Sequence, residues 1–261
     1  MLHNKLMICG LLSLMLFGFA FGKKKGTDAE KRIRLYACYT PSHEVLVKEW
    51  FLPSIKDDYE VIVEKHEQAC PTACYMSNGW TSATLKKVEM LIRAIKENWG
   101  GLFVYSDVDI QFFRPTKDIL LDLIQGMDMV IQRDNPDGIA CTGFFMCRAN
   151  EQTLKVWQEV QRRMTDKEYL KTNPNVDDQT EFNKVLQERK PLLIWDFLPA
   201  KFLNGGTLTG KYWKAGDRLH IPPNIVLHHA NWTQGGVKNK IEELQYVKSY
   251  MLQSNNLLER H

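Results

Sequence analysis

Apolar side chains along this chain switch between two periods. Short, nearly continuous apolar runs alternate with longer stretches in which they recur every three or four residues. The first run of the globular part, Arg34-Leu-Tyr-Ala-Cys-Tyr39, predicts a strand that ends at the turn Thr40-Pro41-Ser42. Leu46, Trp50, Phe51 and Ile55 then mark one helix face, with Pro53 as its kink or end. Residues 59–64 predict a second strand, and 66–80, with Pro71, two cysteines and Asn78-Gly79, a loop. From 84 to 98 the positions Leu85, Val88, Leu91, Ile92 and Ile95 repeat at helical spacing. Lys86, Lys87, Arg93 and Lys96 fill the opposite face and are expected in solvent. Gly100-Gly101 stops that helix before a strand at 102–106.

The alternation continues to the C-terminus. Thr116 is positioned to cap a short helix carrying Ile119, Leu120, Leu123 and Ile124. Strands are predicted at 127–132 and 139–148, the latter interrupted by Gly143. Asn150 caps a helix whose seam is Leu154, Trp157, Val160 and Met164. A polar loop at 171–176 leads to Asp177-Asp178-Gln179 at the start of a helix with Phe182, Val185 and Leu186. A strand at 192–195, a turn at Asn204-Gly205-Gly206, a last strand at 224–228 and a closing helix with Ile241, Leu244, Val247 and Met251 complete the pattern. Strands alternating with helices predict one α/β domain, a Rossmann-like, mostly parallel mixed sheet with helices on both faces. No glycine-rich loop follows the first strand, which argues against the dinucleotide fingerprint and the P-loop.

Composition narrows the partners. The chain has 261 residues, 44% hydrophobic and 25% charged, with a net charge of only +3 and no basic face interleaved with aromatics, so nucleic acid is excluded as an expected partner. Residues 6–22 form an apolar run between Lys5 and Lys23-Lys24-Lys25, long enough for a signal-peptide core or a short membrane anchor. Gly18, Ala20 and Gly22 permit cleavage. The basic residues after the run favour a downstream domain on the cytoplasmic side. The expected division is a signal peptide or membrane signal-anchor over 1–22, a basic linker over 23–32 and one domain over 33–261. Beyond Cys9 the cysteines are Cys38, Cys70, Cys74, Cys141 and Cys147, an odd number. Cys70 and Cys74 could close a small loop in an oxidising compartment, and no Cys/His pairs have zinc-finger spacing.

The candidate chemistry sits at strand ends. Residues 102–106 break into Asp107 and Asp109, one residue apart, where ligands bind in an open α/β sheet. Such a pair suits a divalent cation held against a polyphosphate. His229, beside Gly235-Gly236, Lys238 and Lys240, can complete the metal shell and face phosphate oxygens. Gly143 beside Thr142 either breaks pleat packing or lets a ligand approach the backbone.

These segments resemble the nucleotide-diphospho-sugar transferase domain of glycosyltransferases with the A-type fold. The resemblance rests on Tyr105-Ser-Asp-Val-Asp-Ile110, Thr142-Gly-Phe144, Asp177-Asp-Gln179 with Phe182-Asn183, Asn204-Gly205, and His229-Ala-Asn-Trp232 followed by glycine and lysine. It implies transfer of a sugar from a nucleotide-diphosphate donor to a hydroxyl of a glycan, glycolipid or protein, with Mn2+ or Mg2+ as cofactor and retention favoured. By the same resemblance Asp107, Asp109 and His229 are the metal ligands, with Asp107 also facing the ribose. Lys238 or Lys240, with Gly235 and Gly236, meets the diphosphate. Thr142 and Gly143 line the donor-sugar pocket, Asp178 and Gln179 flank the reacting sugar, Cys38, Tyr39 and Thr40 hold the base, and Lys87 reaches the donor. Where family members often carry tryptophan soon after Asp-x-Asp, this chain has Gln111-Phe112. The implied setting is a membrane, either a Golgi-type lumen as a type II protein or the cytoplasmic face. The alternatives are a metal-dependent phosphoesterase and a catalytically silent nucleotide-sugar or glycan-binding module.

Overall fold

The structure, a computed structural model, describes residues 32–72, 74–173, 176–189, 192–206 and 211–258. The leader and nearly all of the expected linker, residues 1–31, lie outside the described residues. Among the described residues no helix is long and apolar enough to cross a membrane.

Strands β1 (Arg34–Tyr39), β2 (Glu60–Lys65), β3 (Leu102–Ser106), β5 (Met129–Arg133), β6 (Ala140–Arg148) and β7 (Trp195–Phe197) form one sheet in the order β2-β1-β3-β6-β5-β7. β6 alone among these six runs against its neighbours; β1 is parallel to β2 and β3, and β5 to β7. This is the mixed, mostly parallel sheet that the alternating pattern predicts.

The sheet's pleat divides its side chains between two cores, because successive residues of a strand point to opposite faces. Tyr36, Phe103, Tyr105, Ile131 and Phe145 join one core with α2 (Trp80–Glu97), α4 (Glu151–Thr165) and α6 (Asp178–Glu188). There Trp157 stacks between Phe145 and Phe182, with centroids 5.8 and 4.9 Å away. Leu35, Ala37, Val104, Val130, Phe144 and Met146 join the other core with Leu46, Phe51, Leu120 and Leu244. Eight of the nine residues of β6 are buried, which is why its sequence reads as continuous apolar rather than alternating.

A second, three-stranded sheet positions the chemistry. β4 (Ile110–Phe112) pairs antiparallel with β9 (Leu227–His229), and β8 (Phe202–Asn204) pairs parallel with β9. Its register sets Ile110 opposite His229, and the Ala230 amide donates to the Asp109 carbonyl at 3.0 Å. Two carboxylates and a histidine 120 residues later in the chain are thereby fixed side by side.

Several local expectations change. The predicted helix after β1 is a 3-10 turn at Pro41–His43, a π-helical segment at Leu46–Phe51 and one α turn, α1 (Leu52–Ser54), ending just past Pro53. Thr116 does not cap α3 (Lys117–Leu123) with its side chain; the Asp57 carboxylate accepts the Thr116 and Lys117 amides instead. The strand expected at 192–195 falls at β7, the last strand ends at His229, and residues 171–172 belong to α5 (Lys167–Thr172). The closing helix α7 (Gly236–Leu258) begins at the glycine pair itself. Asn150 caps α4 as expected, accepting from the amides of Gln152 and Thr153. Cys70 and Cys74 are free thiols, with the Cys70 sulfur 3.0 Å from the Ser77 hydroxyl.

Candidate functional site

β3 delivers Asp107 and Asp109 from its C-terminal end while Val108 between them is buried in the core. Asp107, Asp109 and His229 each present a ligand atom, all within 4.8 Å of one another. His229 Nε2 stands 3.2 Å from Asp109 Oδ1 and 3.9 Å from Asp107 Oδ2. Its other nitrogen, Nδ1, is 2.9 Å from Gln132 Oε1. The Gln132 amide has one orientation, because its Nε2 donates to the carbonyls of Phe202 and Leu203. Oε1 is therefore the acceptor and His229 Nδ1 carries a hydrogen, which leaves Nε2 as the ring nitrogen that faces the carboxylates. Nε2 and the two carboxylates converge where a single cation would meet all three. Two hard oxygens and an imidazole oriented by a fixed partner fit a divalent metal ion.

Gly143 makes room for this arrangement. A Cβ there would lie 2.2 Å from His229 Cε1 and 2.8 Å from Asp107 Oδ2. Its carbonyl also accepts the Asp107 amide at 2.7 Å. Of the two roles open to this glycine in the sequence, close approach is the one seen, and what approaches is the protein's own histidine.

Two lysines, half-buried Lys240 and buried Lys87, balance the acids. Lys240 Nζ lies 2.6 Å from Asp109 Oδ2 and donates to the Ala230 carbonyl at 2.7 Å. Burial alone would raise the Asp109 carboxyl, but Lys240 and His229 hold it well below the usual range. Lys87 is buried rather than solvated, 3.2 Å from Asp107 Oδ1 and 2.9 Å from Asp178 Oδ2. Burial opposes its charge, yet Asp107 and Asp178 raise it above the ordinary lysine value. Asp107 is raised by burial and by the neighbouring Asp109, against the pull of Lys87. The Tyr105 hydroxyl donates to Asp107 at 2.8 Å. Lys86, one residue away, is on the exposed face as expected.

These groups open onto one cavity of about 930 Å³. Cys38, Tyr39, Thr40, Lys87, Asp107, Asp109, Thr142, Asp178, Gln179, His229, Gly235, Gly236 and Lys240 all line it. The Thr142 hydroxyl donates to Asp178 at 2.6 Å, and the Thr142 amide donates to Gln179 Oε1 at 3.2 Å. Two of the expected residues are elsewhere. Gly143 is behind the cluster rather than on the wall, and Lys238 is in solvent beside Glu242, its side chain 86% exposed. Lys240, two residues on and on the opposite side of α7, is the lysine that reaches the site.

Sequence reasoning missed other members. Asp134 was too loosely placed in the sequence to be nominated, yet it is buried and lines the cavity, accepting from Asn231 Nδ2 at 3.1 Å and Trp232 Nε1 at 3.0 Å. Its position just past β5 was the available signal. His43 also lines the cavity, beside the Ser42 hydroxyl at 2.9 Å. Gln132 carried no signal, since a glutamine inside an apolar strand reads as an exception to the pattern. His228, adjacent to His229, points the opposite way and meets buried Glu243 at 3.2 Å, as strand alternation requires.

The chain can now be set beside known proteins. No curated protein matches it. Among solved structures, it is similar to a glycosyltransferase involved in the glycosylation of the major capsid of PBCV-1, with a TM-score of 0.54 and 12% identity over 82% of this chain and 99% of that one. At that identity the likeness speaks to the fold alone. A weaker similarity is to mouse xyloside xylosyltransferase 1 in its apo form, with a TM-score of 0.47 and 10% identity over 77% of this chain and 98% of that one. The sequence family of nucleotide-diphospho-sugar transferases matches residues 56–244, which span β2 through the first part of α7 and every member of the acidic cluster. With that match over most of its length, and a fold that agrees with it, this chain belongs to the nucleotide-diphospho-sugar transferase family, with an A-type glycosyltransferase architecture.

Proposed function

We propose that the protein is a metal-dependent glycosyltransferase that moves a sugar from a nucleotide-diphosphate donor to an acceptor hydroxyl, with retention at the anomeric carbon. The observation that carries this reading is the meeting of Asp109, His229 and Lys240 in one buried corner of the cavity. Asp107, Asp109 and His229 would hold Mn2+ or Mg2+, which supplies charge neutralisation for the departing diphosphate. The chain's own residues do the rest. Lys240, beside the Gly235-Gly236 start of α7, offers an ammonium to a phosphate oxygen. Cys38, Tyr39 and Thr40, at the end of β1, border the place for the nucleoside. Thr142, Asp178, Gln179 and Lys87 border the place for the transferred sugar.

In the reaction the acceptor oxygen bonds to the anomeric carbon as that carbon's bond to the phosphate oxygen breaks. The diphosphate leaves with the electron pair. Asp178 Oδ2 is tied to Lys87 at 2.9 Å and to Thr142 at 2.6 Å, which suits a fixed negative charge beside an oxocarbenium-like carbon better than a base that must take a proton. The acceptor proton is then taken by the diphosphate, on the same face, which supports retention. A two-metal phosphoesterase would need further free carboxylates, and the nearest, Asp178 and Asp134, are held by Lys87 and by Trp232.

Donor-sugar hydrolysis in Mn2+ with UDP- and GDP-sugars, followed by proton NMR of the released anomer, tests both parts. Release of the α-anomer from an α-linked donor is expected; release of the β-anomer would overturn retention, and no release with any donor would overturn the transferase reading. For the setting, the apolar run at 6–22 supports membrane association, as a type II protein facing a Golgi-type lumen or on the cytoplasmic face. Protease protection on sealed vesicles distinguishes the two.

A further inference from the structure

We propose that the cavity's aromatic end is the acceptor subsite and that it takes a pyranose ring of a glycan. The proposal rests on the transferase reading above and names the acceptor class for it. Tyr75, Trp80, Tyr212 and Trp232 line the cavity, yet none of the four belongs to the three apolar cores. Tyr75 is 56% and Tyr212 46% exposed. Tyr212 stacks on Trp232 with centroids 5.3 Å apart and planes 29° apart, and Tyr75 meets Trp80 edge to face at 5.5 Å. Both pairs face the same cavity, with Asp134 and Asp177 in its lining. Large aromatic faces left out of the core at the wall of a binding cavity are contact surface, not packing.

Trp232 in particular is a built feature. Its φ is +48°, a left-handed conformation that a bulky residue rarely adopts unless its surroundings hold it there. Three things hold it. The Trp213 amide donates to its carbonyl at 2.7 Å, and its indole Nε1 donates to both oxygens of buried Asp134 at 3.0 Å. Gly206 supplies the clearance, since a Cβ there would lie 2.7 Å from the indole. The fold thus commits a strained backbone, a buried acid and a glycine to aim one half-exposed ring.

The lining selects among acceptors. A pyranose offers a face of C–H bonds that rests on an aromatic ring and a rim of hydroxyls that donate to carboxylates. Asp177 and Asp217 bring carboxylates to the same cavity. An alkyl chain would need a continuous apolar lining, which Asp134, Asp177, Lys214 and Asp217 interrupt. A serine or threonine side chain would leave the aromatic faces uncovered. The subsite opens into the same cavity as the proposed reaction centre, where Gln179 accepts the Thr142 amide at 3.2 Å. A hydroxyl of the bound ring would form the new bond to the anomeric carbon, its proton passing to the leaving diphosphate.

The test offers the full chain, in Mn2+ with whichever UDP- or GDP-sugar it hydrolyses, three acceptor types: methyl pyranosides of gluco, galacto, manno and xylo configuration, a serine/threonine-rich peptide, and octanol. Products are read by mass spectrometry. Transfer to at least one pyranoside and neither other type is expected. Tyr212→Ala should raise the KM for that pyranoside at least tenfold, while calorimetric affinity for the nucleoside diphosphate stays within twofold. Trp232→Phe, which keeps a ring but loses the Nε1 bond to Asp134, should raise it by a smaller factor. Transfer to peptide or octanol instead, or a pyranoside KM unchanged in Tyr212→Ala, overturns the subsite while leaving the transferase reading intact. Nucleotide sugar that is neither hydrolysed nor transferred overturns both.

Discussion

A single methyl group at position 143 puts the geometry of the cluster under direct strain. In Gly143→Ala the new Cβ would stand 2.2 Å from His229 Cε1, 3.0 Å from His229 Nδ1 and 2.8 Å from Asp107 Oδ2. Non-bonded carbons settle at about 3.5–4.0 Å, so something must retreat by more than about 1 Å. The strand is the stiffer partner: β6 pairs with β3 up to Phe144, and the Gly143 carbonyl itself accepts the Asp107 amide at 2.7 Å. The imidazole therefore gives way and loses its 2.9 Å bond to Gln132, together with its aim at Asp109. Disturbing an orienting partner of a metal-bound histidine costs ~10–100-fold in metal affinity. Forcing a methyl group into a filled core costs about 1–3 kcal/mol of stability. Calorimetric Mn2+ titration and metal-free thermal unfolding of the two proteins read these effects separately. A variant with Mn2+ affinity within twofold of the parent and the same Tm would refute the claim that Gly143 exists to admit His229.

Other perturbations follow from the same structure. Lys87→Met leaves buried Asp178 and half-buried Asp107 without their shared cation, and metal-free urea unfolding at pH 7 should show a loss of about 3 kcal/mol; a loss below about 1 kcal/mol would mean the pair is not held as described. Glu159 is brought down to about 2 from 4.5, chiefly by its bond to Arg162 and then by Arg163. A carboxyl depressed in the folded state adds stability above its unfolded value and loses it as pH falls. Glu159→Gln should thus cost about 1 kcal/mol at pH 7, and the difference should shrink between pH 4.5 and about 2; a difference that stays constant over that window would contradict the ion-pair assignment.

What the sequence revealed, and what it hid, follows from the range of the interactions. β1, β3, β6 and the seam of α4 were legible because local period and caps such as Asn150 specify them. The Asp-x-Asp pair was legible because two acids break an apolar run at a strand end. β4 and its sheet were not, since Ile110–Phe112 is only a continuation of that run until β9 comes to pair with it. Lys87 read as solvated because helical spacing places it beside Lys86, and only the two acids it meets across the cavity explain its burial. Asp57 capping α3 and Gln132 orienting His229 are contacts between segments about 60 and 97 residues apart, which no local pattern encodes. The choice between Lys238 and Lys240 turned on where α7 begins, which is at Gly236, the second of the glycine pair.

The central claim is that Asp109 and His229 hold one divalent ion against the diphosphate of a donor. Calorimetric titration of UDP and GDP into the full chain, with and without Mn2+, and into Asp109→Ala with Mn2+, tests it most directly. The account predicts that Mn2+ tightens binding of at least one nucleotide by tenfold or more and that Asp109→Ala removes this gain. Equal affinity with and without the ion, or a gain that persists in the variant, would contradict it.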